Sequence, residues 1–298
     1  MKKRICCFIL AFILIAVCQA GCGKKDNGMK KVVLNEVAHS IFYAPQYVAI
    51  EMGYFKDAGI DLVLETGFGA DKTMTALISG NADIGFMGSE STIYAYAEGS
   101  KDYAVNFAGL TQRAGNFLVA REKIDNFSWD MVKGKNVLGG RKGGMPQMVL
   151  EYILKANNID PASDLSIDQS VDFGLTAGAF SGNTEYDFTV EFEPGATSLE
   201  KEGKGYVVAS LGVDSGYVPY TAYSAKKSYI EKNPEIIKDF TSAIQKGLDY
   251  VNSHSSAEIA KVIAPQFEDT DIDTITTIVE RYKSQDTWKK DTVFTRES

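Results

Sequence analysis

All four cysteines of this 298-residue chain lie within its first 22 positions, at Cys6, Cys7, Cys18 and Cys22. The rest of the chain therefore cannot form internal disulfides, a zinc–thiolate site or a cysteine nucleophile. Its stability must come from a hydrophobic core, and 45% hydrophobic with 23% charged residues is typical of a globular protein. This length suits one large or two medium-sized domains.

The amino-terminal segment at residues 1–21 has the layout of an export signal. Basic residues at 2–4 precede an uninterrupted apolar stretch at 5–17, and small residues come directly before Cys22. The layout resembles a bacterial lipoprotein signal in which Cys22 becomes the lipidated first residue. The resembled motif usually has Leu, Val or Ile three places before the cysteine, where this chain has Gln19.

The alternative for this segment is an uncleaved transmembrane anchor. The apolar stretch is shorter than the ~20 residues that a spanning helix needs, so we favour cleavage. We therefore predict a signal peptide at residues 1–21 and a polar tether at residues 22–30. The body would lie on the extracytoplasmic face of the cell membrane, held there by lipid on Cys22.

The predicted mature chain is strongly acidic. Loss of the three positive charges of the leader changes the formal net charge from −8 to −11. Such a charge argues against nucleic acid and against an anionic membrane surface as partners. A small-molecule solute is compatible with it, because a binding site needs only one or two local charges. No residue pattern calls for a cofactor or a metal, and we expect neither.

Strand-like and helix-like segments alternate through the first two thirds of the body. Predicted strands at residues 31–37, 61–65 and 82–86 are separated by predicted helices at residues 45–52 and 71–79. The second third repeats this plan, and the residues after Lys226 are expected to be helical. This order is typical of an α/β fold with mostly parallel sheets.

Three landmarks recur in both thirds at offsets between 101 and 104 residues. The pairs are Pro45 with Pro146, Ser79 with Ser181, and Glu98 with Glu202. Each match alone could arise by chance, but the common offset indicates two similar lobes. We predict that residues 31–120 and 222–298 form the first lobe and that residues 121–221 form the second.

Four segments of the body carry recognisable motifs. They are Phe-Tyr-Ala-Pro-Gln-Tyr-Val-Ala-Ile-Glu-Met-Gly-Tyr-Phe-Lys-Asp-Ala-Gly-Ile-Asp-Leu at residues 42–62, Ser-Gly-Asn-Ala-Asp-Ile-Gly at 79–85, Lys-Gly-Lys-Asn-Val at 133–137 and Asn233-Pro234. These segments resemble motifs of the family of ABC-transporter substrate-binding proteins that bind nitrate, sulfonates, taurine and thiamine precursors. Together they span nearly the whole predicted mature chain.

The resemblance implies a type II periplasmic-binding-protein-like fold, in which two α/β lobes are joined by two crossover strands. A small solute would be trapped in the cleft between the lobes by hinge closure and delivered to ABC permease subunits in the membrane. It also implies a monomer. The solute would resemble a sulfonate, taurine, nitrate or a pyrimidine thiamine precursor.

Candidate ligand-binding residues follow the predicted strands, because ligands of α/β sheets bind beyond the carboxyl ends of strands. Aromatic rings could stack on a flat solute, glycines permit a close backbone approach, and acids could accept from an amine. The candidates are Ser40, Phe42, Tyr43, Phe68, Gly69, Gly88, Ser89, Gln112, Arg113, Arg141, Gly143, Gly144, Glu191, Glu193 and Tyr220.

Some of these candidates have plainer interpretations. Phe42 or Tyr43 could belong to the core, and Ser89 could cap its own helix. Glu191 and Glu193 could lie on an exposed turn. Glu90, beside Ser89, is expected to point away from an anionic solute or to meet a cationic group.

Arg141 and Lys142 precede two glycines and a predicted helix start. Basic side chains at a helix N-terminus are suited to holding a carboxylate, sulfonate or phosphate. The segment lacks the Gly-Lys-Ser/Thr ending of a nucleotide-binding loop. An exposed basic rim is the alternative. If Arg141 anchors an anionic solute, Arg141→Ala should weaken its binding.

Two other functions remain open beside solute binding for import. A eukaryotic branch of the resembled fold synthesises the thiamine pyrimidine and needs cysteine and histidine, whereas this chain has no cysteine after Cys22. An extracytoplasmic ligand sensor would have to act through a separate membrane partner. We expect a binding protein rather than an enzyme.

Overall fold

A computed structural model describes residues 28–139, 142–171 and 174–295, and two five-stranded sheets organise this part of the chain. The predictions for Cys22 and Arg141 lie outside the described residues. The strands are β1 Lys30–Glu36, β2 Ile60–Thr66, β3 Ile84–Gly88, β4 Ala104–Gly109, β5 Asn116–Ala120, β6 Asn136–Leu138, β7 Ser166–Asp168, β8 Phe188–Phe192, β9 Tyr206–Ser210 and β10 Thr221–Lys226.

The two sheets have equivalent topologies. The strand order is β2-β1-β3-β10-β4 in the first sheet and β7-β6-β8-β5-β9 in the second. In each, three strands pair in parallel and the fourth position holds a strand that runs antiparallel to both neighbours, β10 or β5. The predicted two-lobed α/β architecture is confirmed.

Strand β5 belongs to the second sheet, where it lies between β8 and β9. The sequence analysis placed residues 116–120 in the first lobe. Every residue of β5 is buried, and such a strand needs partners on both sides, but its apolar pattern does not say which sheet supplies them. The chain therefore leaves the first sheet after Gly109 and enters the second at Asn116. The other predicted lobe limits stay predictions.

Helices cover the faces of both sheets. They are α1 Ala44–Glu51, α2 Tyr54–Asp57, α3 Ala70–Ser79, α4 Glu90–Ala97, α5 Met145–Ala156, α6 Thr176–Gly182, α7 Gly195–Lys201, α8 Leu211–Asp214, α9 Lys227–Lys232, α10 Pro234–Ser253, α11 Ser256–Ile263 and α12 Ile272–Ser284. Within the described ranges, no helix is both long enough and apolar enough to cross a membrane.

The carboxyl-terminal helices pack back on the first sheet's helices. Helix α10 buries an apolar stripe with three- and four-residue spacing, including Phe240, Ile244 and Leu248. Gly247 lies in this stripe, and a Cβ at that position would come within 2.1 Å of the Pro45 carbonyl oxygen. Glycine is therefore what allows α10 to approach α1 so closely.

The segment after α12 is extended rather than helical. Thr111 forms a β-bridge with Trp288, and the Gly109 N–H donates to the Thr292 carbonyl at 2.9 Å. The Trp288 indole N–H donates to the Phe42 carbonyl at 2.8 Å. This segment thus lies against the place where the chain leaves the first sheet.

Candidate functional site

A cavity of about 120 Å³ lies between the two sheets. We call it the central cavity. The first sheet and its connections contribute Tyr43, Gly69, Gly88, Glu90 and Tyr220 to its lining, and the second contributes Gly143, Gly144, Met145 and Phe192. Most of these residues follow a strand at its carboxyl end or begin a helix, which is where α/β sheets bind ligands.

Six sequence-predicted candidates line the central cavity, namely Tyr43, Gly69, Gly88, Gly143, Gly144 and Tyr220. Lys142 also lines it, and its side chain is exposed. The structure brings these residues together from positions as far apart in sequence as Tyr43 and Tyr220. Their contact with a solute stays a prediction.

Three further candidates line a second, larger space beside the central cavity. This side cavity has a volume of about 280 Å³, and Ser40, Glu191 and Glu193 contribute to it. Pro146 and Phe192 line both spaces, so the two adjoin.

Glu90 points into the cleft, although an anionic solute would have required it to point away. The residue is only 4% exposed. Its Oε1 accepts the backbone N–H of Met145 at 3.0 Å, while its Oε2 has no hydrogen-bond partner among the described residues. Burial raises the pKa of Glu90 to about 7. The sequence offered a signal for it, because Glu90 follows a strand end directly after Gly88 and Ser89.

Gly88 makes room for this carboxylate. A Cβ at position 88 would lie 2.2 Å from Glu90 Oε2, which is inside any van der Waals contact. Glycine is therefore needed at position 88 because a side chain would collide with Glu90. It is not needed for an unusual backbone conformation.

Aromatic rings form the wall of the central cavity. Phe42 is fully buried and contacts Tyr43, Phe192 and Tyr220, so it belongs to the core behind the wall. The Tyr220 hydroxyl is buried and has no hydrogen-bond partner among the described residues. Burial holds the pKa of Tyr220 well above its ordinary value, so the hydroxyl keeps its proton.

Glu191 lies in the side cavity with both carboxylate oxygens already bonded. The hydroxyls of Thr189 and Thr176 donate to them at 2.6 and 2.9 Å. Burial is the main cause that raises the pKa of Glu191 to about 7. The interpretation of Glu191 and Glu193 as an exposed turn is wrong, because both are buried.

Glu193 forms an ion pair between lobes. Its Oε1 lies 2.6 Å from Nη1 of Arg281 on α12, and the Thr197 N–H donates to its Oε2 at 2.9 Å. Burial raises the pKa of Glu193, outweighing the opposing effect of Arg281 and Thr197. The Ser40 hydroxyl donates to the Glu193 carbonyl at 3.0 Å, which adds a second contact between the lobes.

Besides Phe42, four predicted residues line neither the central nor the side cavity within the described part of the chain. Phe68 is 63% exposed, and the Ser89 hydroxyl donates to the Pro219 carbonyl instead of capping α4. Gln112 donates to the Asp286 and Trp288 carbonyls, and Arg113 donates to the Gly212 carbonyl and stacks on Tyr217. Gln112 and Arg113 belong to the crossing between the sheets, which the sequence analysis took for a strand end.

His39 has a structural partner on each ring nitrogen. Its Nδ1 lies 2.8 Å from Glu36 Oε1, and its Nε2 lies 2.8 Å from the Gln266 carbonyl oxygen. Burial lowers the pKa of His39, but the hydrogen bonds to Glu36 and Gln266 raise it more, so that it lies above its ordinary value. Among the described residues, no group of His, Cys, Asp and Glu is arranged to hold a metal ion.

Similarity to known proteins covers most of this chain. A family model described as "NMT1/THI5 like" matches residues 41–257. The Bacillus subtilis (strain 168) protein named "Putative binding protein YtlA" is 47% identical over 291 residues, which cover 98% of this chain and 86% of that protein.

One solved structure and one further named protein are also similar to this chain. The alkanesulfonate-binding protein SsuA from Xanthomonas axonopodis pv. citri, solved bound to MOPS, superposes with a TM-score of 0.73 at 14% identity, over 90% of this chain and 88% of that one. The 4-amino-5-hydroxymethyl-2-methylpyrimidine phosphate synthase of Candida albicans (strain WO-1) is 24% identical over 239 residues, which are 72% of this chain and 64% of the enzyme. The first likeness shows the two-lobed fold, and the second covers less than two thirds of the enzyme.

Proposed function

This chain belongs to the NMT1/THI5-like family, and from that premise we propose that it is the extracytoplasmic solute-binding component of an ABC importer. It captures a small solute in the central cavity and delivers it to permease subunits in the membrane. It acts as a monomer anchored through lipid on Cys22. The two lobes close on the solute by bending where the chain crosses between the sheets, at residues 110–115 and 211–220.

The observation that carries this proposal is a group of three unsatisfied polar atoms on residues that line the central cavity. Glu90 Oε2, the Tyr220 hydroxyl and Thr221 Oγ1 are buried and have no hydrogen-bond partner among the described residues. Buried polar groups are nearly always hydrogen-bonded in native proteins, so a ligand or water is the expected partner. All three residues line the same cavity between the lobes, which is where a solute would be enclosed.

Contacts across the cleft support closure around the solute. Glu90 accepts from Met145, and the Tyr94 hydroxyl donates to Met148 Sδ at 3.3 Å, each pair joining α4 to α5. Contacts of this kind form when the lobes approach and break when they separate, so the geometry corresponds to a closed clamshell.

The size and lining of the cavity favour a small, flat solute. Tyr43, Phe192 and Tyr220 supply aromatic surface, and the glycines at positions 69, 143 and 144 bring the backbone close. Sulfonates, taurine, nitrate and pyrimidine thiamine precursors remain the candidates, and of these nitrate and the pyrimidines are flat.

A calorimetric and thermal-unfolding screen tests the proposal. The purified protein would be titrated with sulfonates, taurine, nitrate, bicarbonate and pyrimidines. A true solute present at ~100 times its Kd should add about 2.7 kcal/mol to the free energy of unfolding. Small-angle scattering should then show a smaller radius of gyration with the solute. If nothing in this range of solutes binds and the radius never changes, the proposal is wrong.

The rival candidate is a pyrimidine synthase, and the observation that favours it is the relationship to the Candida albicans enzyme. It predicts that a pyrimidine product accumulates when the protein is incubated with its precursors. Binding without turnover supports the importer component instead.

A further inference from the structure

The central cavity contains one buried carboxylate whose second oxygen is left for the solute. Glu90 is the first residue of α4, and it is 96% removed from solvent, since only 4% of it is exposed. Its Oε1 is already bonded to Met145 N–H, and its Oε2 lies against Gly88 without a partner among the described residues. A carboxylate oxygen accepts hydrogen bonds, so it calls for a donor.

Among the described residues, the side chains around Glu90 do little to offset a second negative charge. Tyr43 and Tyr220 line the same cavity, and burial holds the pKa of each well above its ordinary value, so both are neutral. Asp71 from α3 and Lys142 from the segment before α5 also line the cavity, but both are exposed. Exposed charges are screened by water, so Lys142 offsets little of a second negative charge placed next to Glu90.

We propose that the solute presents a protonated nitrogen or an N–H donor on a small ring to Glu90, and that this contact discriminates against anionic solutes. The inference rests on the proposed function and narrows its solute class. The aromatic rings of Tyr43, Phe192 and Tyr220 suit such a solute, because aromatic faces attract cations and stack on flat rings. Glu90 is then a specificity-determining residue.

The opposite arrangement is chemically distinct. A protonated Glu90 could donate to an anion instead of accepting from a cation. The pKa of Glu90 is raised to about 7 by burial, so both forms are accessible near neutral pH. The two arrangements respond to pH with opposite signs: a cation binds the ionised form and binds better as pH rises, whereas an anion binds the protonated form and binds worse.

A matched pair of ring compounds separates these arrangements. Benzamidine carries a cationic donor, while benzoate and benzenesulfonate carry an anion on the same ring; 4-aminopyridine and 4-aminopyrimidine extend the donor series. Calorimetry on the full chain at about pH 5.5 and about pH 8.5 brackets the pKa of Glu90. We expect benzamidine, which is cationic at both pH values, to bind about 30-fold more tightly at the higher pH, and the anions to bind more weakly than any donor-bearing ring.

Glu90→Gln provides the second arm of the experiment. Glutamine keeps the acceptor for Met145 N–H but carries no charge, so donor-bearing rings should lose about 10- to 100-fold in affinity and their pH dependence should disappear. Glu98→Gln is the control, because it removes a carboxylate from an exposed position just after the same helix. It should change neither the affinity for the ring compounds nor its pH dependence. Thermal unfolding of each variant establishes that it is folded.

The outcomes distinguish this inference from the proposed function. Tighter binding of the anions than of the donor series, or stronger anion binding at the lower pH, overturns the role of Glu90 while the solute-binding function stands. Failure of every donor-bearing ring to bind also overturns it. If anions fail as well and the lobes do not close with any solute, the proposed function falls too.

Discussion

The Oε1 atom of Glu90 and the backbone nitrogen of Met145 lie 3.0 Å apart and join the start of α4 in the first lobe to the start of α5 in the second. The free N–H groups at a helix N-terminus favour a negative partner, so this contact is stronger than one between neutral groups. The same Glu90 carboxylate that we propose binds the solute therefore also helps to hold the cleft closed.

Glu90→Ala should therefore open the cleft. A hydrogen bond to a charged group contributes about 1.5–3 kcal/mol, which corresponds to a shift of roughly 10- to 150-fold toward the open form. With the solute present, small-angle scattering should show a larger radius of gyration for this variant than for the native protein. Glu98→Ala serves as the control, because Glu98 is exposed and lies beyond the other end of the helix. Equal radii for the two variants would contradict the contact's role.

Gly247 and Gly178 should respond oppositely to alanine. At Gly247 the new Cβ meets the Pro45 carbonyl at 2.1 Å, so overpacking should cost about 1–3 kcal/mol of unfolding free energy. At Gly178, inside α6, the new Cβ meets no described atom within 4 Å, so the better helix propensity should add about 0.5–1 kcal/mol. Urea unfolding measures both, and destabilisation of equal size at the two sites would refute the packing argument.

His39 should make stability depend on pH near neutrality. Its folded-state pKa lies above the unfolded value of about 6.5, because the hydrogen bonds to Glu36 and Gln266 outweigh burial. The stabilisation that protonated His39 gives the folded state is complete below about pH 6.5 and is lost as pH rises through the folded-state pKa. The unfolding free energy of the native chain should fall as pH rises through this window. In His39→Gln the part of this fall that is due to His39 should be absent. Identical slopes in both proteins would show that His39 is not the titrating group.

Arg281→Met should leave Glu193 buried without its countercharge. Removing one partner of a buried ion pair costs about 3–5 kcal/mol. Because burial then raises the pKa of Glu193 further, the loss should be smallest at low pH, where the carboxyl is protonated, and should grow as pH rises. The double variant with Glu193→Gln should recover much of the stability in a double-mutant cycle. No recovery would mean that Arg281 acts through Glu200, its other partner.

Cys22→Ser should release the protein from the membrane. If Cys22 carries lipid, the native protein partitions into detergent and into the membrane fraction, because two or more acyl chains suffice for stable anchoring. The serine variant should appear in the aqueous phase. Retention of the variant in the membrane fraction would indicate that the apolar segment at residues 5–17 serves as the anchor.

Local sequence signals predicted much of the fold. Strand and helix alternation predicted two α/β lobes, and Gly80, with a φ of +80°, ends α3 as expected of a glycine after a helix. The clustering of Tyr43, Gly69, Gly88 and Gly143 followed from the rule that ligand-facing residues come after strand ends.

Long-range packing decided what the sequence could not. The apolar residues of β5 fit either sheet, and pairing with β8 and β9 selects the second. Phe42 and Tyr43 are adjacent aromatics, but only the tertiary structure places one in the core and the other at the cavity. The Glu90 side chain points into the cleft because it accepts a hydrogen bond from Met145 at the start of α5 in the other lobe, a contact that the local sequence does not reveal.

The position of β10 has a consequence for how the chain acquires its shape. This strand lies between β3 and β4, so the gap in the first sheet is filled only by residues 221–226. A chain that emerges amino-terminus first, from the ribosome or through a secretion channel, presents unpaired edges on β3 and β4 until more than a hundred later residues have followed. The first sheet therefore cannot be completed until residues 221–226 have emerged. This delay favours a loosely folded chain during most of synthesis or export.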